Sequence, residues 1–76
     1  MKTIKINTIA KRLSDQRIHY HYQGRQVIRS VYSVAYKAWL AEPMHYGYDG
    51  RINYAIAQDA HLVLGKNEQL ADKYQD

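Results

Sequence analysis

Apolar positions near the start of the chain alternate. Residues 2–6 put Ile4 and Ile6 on one side and Thr3 and Lys5 on the other, which predicts a short strand with one buried face. A helix capped by Asn7 or Thr8 follows, with Ile9, Ala10 and Leu13 on its inner side and Lys11 and Arg12 outside. Residues 17–22 alternate again, Ile18, Tyr20 and Tyr22 against His19 and His21, and predict a second strand that Gly24 ends. Over residues 25–42 the spacing lengthens. At 3.6 residues per turn, Val27, Ile28, Val31, Val34, Ala35, Ala38 and Trp39 gather on one side, so the pattern predicts a long helix bracketed by Gly24 and Pro43. A hairpin with residues 25–34 as its return strand is the competing reading. Residues 43–50, PMHYGYDG, read as a loop. Residues 51–64 read as a helix with Ile52, Ala55, Ile56, Ala60 and Val63 inward, or else as a hairpin around Gln58 and Asp59. A short helix over 67–74 closes the pattern.

These elements predict an α+β fold: one small domain spanning residues 1–76, with one or two short N-terminal strands packed on a long central helix and two or three shorter helices. A chain of 76 residues makes at most one domain, and the thin core of so small a domain leaves room for support from a homodimer or a docked partner. There are no cysteines, which excludes disulfides and cysteine-based zinc sites. No secretory pattern and no run of ~20 apolar residues is visible, so the expectation is a soluble cytoplasmic protein that does not enter a membrane.

Charge changes the picture more than composition does. Residues 1–40 carry eight Lys or Arg against Asp15 alone, whereas residues 41–76 carry three against six carboxylates, for a net charge of +4 overall. Such asymmetry suggests a basic surface for an acidic partner, unless folding mixes the two halves. On the predicted long helix, Arg25, Arg29, Tyr32 and Tyr36 align along the outer side. Cations neutralise phosphates and tyrosine rings stack on unpaired bases. With Lys5, Lys11, Arg12 and Arg17, these residues outline a candidate nucleic-acid face. Tyr46 and Tyr48, around Gly47, suit a loop that recognises another surface.

Other chemistry is sparse. His19 and His21 share a strand face, but zinc requires three or four ligands, and His45, His61 or Asp49 would have to complete the set. Ser14, Ser30 and Ser33 lack a nucleophile elbow, and no glycine-rich phosphate loop occurs. The expectation is therefore a non-enzymatic protein with no metal and no cofactor.

The segment TIAKRL, residues 8–13, resembles the first helix of helix-turn-helix DNA-binding proteins. A recognition helix should follow a short turn, yet RIHYHYQG follows and reads as a strand, so no site residue is carried over. The first functional expectation is a regulator that binds nucleic acid through a basic, tyrosine-rich face of the N-terminal half. The second rests on a resemblance of size and style to small phage and mobile-element inhibitors such as anti-CRISPR proteins. It implies block of a host nucleic-acid-handling complex by protein–protein contacts, with Tyr32, Tyr36, Tyr46 and Tyr48 as anchors.

Overall fold

The computed structural model describes residues 1–44 and 51–71. The order is β1 (Lys2–Ile4), α1 (Ile6–Asp15), β2 (Ile18–Gln23), β3 (Gln26–Ser33), β4 (Ala38–Met44), α2 (Ile52–Asp59), a 3-10 turn (Ala60–Leu62) and β5 (Glu68–Leu70). β2, β3 and β4 form an antiparallel sheet in sequence order, and β1 pairs in parallel with β5 as a separate two-stranded ribbon. The content is mixed α and β, with two short helices and five strands among the described residues.

The predicted long central helix is not there. Residues 25–42 instead supply β3, a tight turn and most of β4, with Val31 opposite Leu40 and Tyr32 opposite Trp39. The cause lies in two residues. Ile28 is buried (4% exposed) although its neighbour Val27 is fully buried too, so β3 buries residues on both faces and loses its period-of-two signature. Pro43 reads as a helix stop, but it occupies an edge strand, where a residue without an N–H is tolerated. β-Branched and aromatic side chains dominate 27–34 and favour the pleated form. Over the described part of the expected helix at 67–74 the chain instead forms β5 at residues 68–70, where Lys2 N–H donates to the Asn67 carbonyl (2.8 Å) and Ala71 N–H to the Ile4 carbonyl (2.9 Å); residues 72–74 lie outside the described residues. The helix reading of residues 51–64 agrees with α2 and its 3-10 continuation. α1 starts earlier than expected, with Lys5 rather than Asn7 or Thr8 at its cap and the Lys5 carbonyl accepting from the Thr8 and Ile9 N–H groups.

One turn depends on glycine. Gln23 pairs with Gln26, leaving Gly24 and Arg25 as a two-residue loop, and Gly24 has φ +65° while Arg25 does not share the positive φ. That is the type II′ arrangement, whose first position suits glycine and whose twist matches the strands. Gly24→Ala is expected to destabilise the protein by about 1–2 kcal/mol, read by urea denaturation.

The core lies between the helices and one face of the sheet. Ile9 and Leu13 of α1, Ile56 of α2 and Ala60 after it pack with Ile18 of β2 and Ile4 of β1, and Tyr20 and Val31 border them. Ile18, Tyr20 and Tyr22 share this inner face with Val27, Arg29, Val31, Leu40 and Glu42 through the strand register. Alternation then sends His19, His21, Ile28, Ser30, Tyr32, Trp39, Ala41 and Pro43 to the outer face.

Candidate nucleic-acid interface on the outer face of the sheet

α1 ends unusually. Its capping residue is Gln16, and the next position, where helices favour glycine in a left-handed conformation, is Arg17 with φ 62°. That backbone costs a non-glycine residue about 1 kcal/mol. It also aims the Arg17 side chain across the outer face, where the guanidinium carbon lies 4.8 Å from the centre of the Tyr32 ring. Tyr32 N–H donates to the Arg17 carbonyl (3.2 Å), so backbone and side chain hold the pair together.

Tyr32 continues into an aromatic cluster. Its ring meets Trp39 edge-on at 5.5 Å, and Trp39 meets the His19 ring at 5.2 Å with a 56° tilt. β4 brings Trp39 opposite Tyr32, and β2 brings His19 to the same end of the sheet. Trp39 stays half exposed (49%), and His19 and His21 are exposed. Arg17, His19, Tyr32 and Trp39 therefore make an open end of the face, while Ile28 makes a closed one. No strand residue on this outer face is a carboxylate.

The remaining predicted site residues separate. Arg12 and Arg29 are occupied by carboxylates from the acidic half of the chain. Arg12 donates twice to Glu68, Nη1 to Oε1 at 2.7 Å and Nη2 to Oε2 at 3.1 Å. Arg29 points to the inner face, where its Nη1 lies 2.9 Å from both Asp59 oxygens and its Nη2 bonds Glu42. Tyr20 Oη donates to the same Asp59 (2.7 Å). Burial opposes the Arg29 charge, yet its bonds to Asp59 and Glu42 outweigh that and hold its pKa above the ordinary arginine value.

Lys5 and Lys11 are exposed in the helical layer, behind the sheet from the aromatic cluster. Arg25 is exposed in the β2–β3 turn. Tyr36 is exposed in the β3–β4 turn, where Lys37 adopts φ 52°. The Arg25–Arg29–Tyr32–Tyr36 stripe is thus dispersed, since only Tyr32 of the four joins the cluster. Tyr46 and Tyr48 lie outside the described residues, as do His45 and Asp49. Among the described residues, no three His, Cys, Asp or Glu side chains come together as a metal site, and no helix is long and apolar enough to cross a membrane.

The Arg12–Glu68 pair has its own consequence. Bonds from Arg12 and from the Gly65 N–H lower the Glu68 pKa from 4.5 to about 2. A carboxyl whose folded pKa is depressed contributes stability that is fully present above its unfolded value and is lost as pH falls through the folded one. Acid titration of stability should therefore fall less steeply for Glu68→Gln than for the wild type between pH 4.5 and about 2. Equal slopes would show that the pair does not stabilise the fold.

Trp39 is the site residue that helical spacing hides, because that spacing assigns it to the core. The available signal is a strand pattern on both sides of a turn, which places Trp39 across from Tyr32. A scan against protein-family models finds no match for the chain, and searches of curated proteins and of solved structures find none either.

Proposed function

We propose that this is a small non-enzymatic protein that binds nucleic acid through the open end of its sheet, with Arg17, His19, His21, Tyr32 and Trp39 as the contact residues. One observation carries the reading: a half-exposed aromatic cluster, with an arginine over one ring, stands on a sheet face without strand carboxylates. Rings there can stack on bases while Arg17 meets phosphate. The left-handed backbone at Arg17 supports a binding role for its side chain, since glycine would fit the helix end at lower cost. A regulatory role and a cytoplasmic setting accord with such a partner.

Fluorescence anisotropy of a labelled oligonucleotide at two salt concentrations tests the reading. Affinity should fall as salt rises, and Arg17→Gly should reduce the slope of log affinity against log salt by roughly 0.7–0.9. The same substitution should change folding stability by less than about 1 kcal/mol, because relief of backbone strain offsets loss of the cation–π contact. Binding that ignores salt would contradict the proposal.

A second reading has its own support. Val34 (78% exposed) and Tyr36 (75%) lie in the β3–β4 turn beyond Trp39, an apolar tip of the sort that marks protein contacts. It fits an inhibitor of a nucleic-acid-handling complex, of the kind that mobile elements carry. Capture of such a complex that Val34→Ser with Tyr36→Ser abolishes, together with no affinity for free nucleic acid, would favour it over the first.

A further inference from the structure

We infer that the ligand of this face is single-stranded nucleic acid, with bases unpaired and stacked on Trp39 and Tyr32, and that duplex is bound much more weakly. The inference rests on the nucleic-acid reading above and adds the strandedness of the ligand.

Three features carry it. The cluster offers ring faces, and a ring gains stacking energy only from a base whose own face is free; in a duplex those faces are covered by neighbouring pairs. Trp39 is half exposed, so part of its surface is open to a base, and Tyr32 and His19 meet it edge-on or tilted rather than stacked in parallel. Second, among the described residues no helix stands at this end of the sheet to enter a groove. Ile18 of β2 pairs with Val31, so only the Tyr32–Trp39 and Ser33–Ala38 pairs of the β3–β4 hairpin extend beyond β2. That short projection is the part of the sheet that could reach into a major groove, which admits a helix or a two-stranded ribbon. Both helices pack on the inner face, away from the cluster.

Third, charge is placed for a backbone that runs beside stacked bases. Arg17 lies over the Tyr32 ring, His21 follows His19 along β2, and no strand carboxylate shares the face. Platforms of this width hold about two or three bases.

Trp39 is the sole tryptophan of the chain, so intrinsic fluorescence reports the proposed contact directly. The full-length protein is titrated at fixed low salt with oligo-dT, with oligo-U of equal length, and with a DNA duplex of that length. The expected result is quenching by a single strand at a concentration at least about tenfold below that needed for duplex, a difference of roughly 1.4 kcal/mol. A preference between oligo-dT and oligo-U identifies DNA or RNA as the source of the strand and supports the inference either way. Duplex that binds as tightly as single strand, with or without quenching, would overturn the inference and leave nucleic-acid binding standing. No binding by any of the three, checked by anisotropy of labelled strands, would remove both.

Discussion

Trp39→Ala is expected to weaken nucleic-acid binding by about 10- to 100-fold, because a base stacked on an aromatic side chain contributes about 1–3 kcal/mol. The expected loss is large because Trp39 is half exposed and is the ring that both Tyr32 and His19 contact. Folding stability should change little by comparison. Trp39 lies on the edge strand and is half exposed, and its cross-strand contacts contribute only about 0.2–1 kcal/mol each. Anisotropy with a labelled strand measures the first effect and urea denaturation the second. Tyr32→Phe, which keeps the ring, should bind almost as wild type, whereas Tyr32→Ala should follow Trp39→Ala. Unchanged affinity for Trp39→Ala would remove stacking from the account.

The largest loss of stability is expected at Asp59→Ala. Asp59 is buried (6% exposed) and accepts bonds from Arg29 and Tyr20, tying the end of α2 to β2 and β3. Its removal leaves the Arg29 charge at the inner face with Glu42, an exposed partner, and strips Tyr20 of this acceptor. Breaking a buried pair on one side costs about 3 kcal/mol or more. That is a large share of the total for a small domain, so the melting temperature should drop by more than about 10 °C. Replacing both partners, Arg29→Met with Asp59→Leu, should cost less than Asp59→Ala alone, since no uncompensated charge remains. A cost below about 0.5 kcal/mol for Asp59→Ala would show that the network does not hold the helix to the sheet.

The sequence made part of this legible and hid the rest for identifiable reasons. α1 was readable because Ile9, Ala10 and Leu13 repeat at helical spacing, and all but Ala10 are fully buried. β2 was readable because Ile18, Tyr20 and Tyr22 alternate up to Gly24, which the turn requires. β3 and β4 were not, because Ile28 is buried on the face opposite Val27 and the turn residues Val34 and Ala35 imitate the next helical positions. β5 exists only through its pairing with β1, about sixty-five residues earlier, which no local pattern reports.

The same error moved the candidate site. Helical spacing aligned Arg29 with Tyr32, whereas strand spacing puts them on opposite faces, one in an ion-pair network and one in the aromatic cluster. The charge asymmetry was real in the sequence but is partly consumed by folding, since Glu42, Asp59 and Glu68 of the acidic half close onto Arg29 and Arg12. Arg17 and Tyr32 are both candidates in the sequence, and their contact comes only from the fold. The left-handed turn at Arg17 is the device that makes it.

Amide chemical-shift mapping with a single-stranded oligonucleotide tests the central claim most directly. The largest shifts should fall at His19, His21, Tyr32, Trp39 and Ala41, on three strands that share one face, and at Arg17 just before β2, with little change along α1. Shifts confined to the helical layer around Lys5 and Lys11, or no shifts at all, would contradict it.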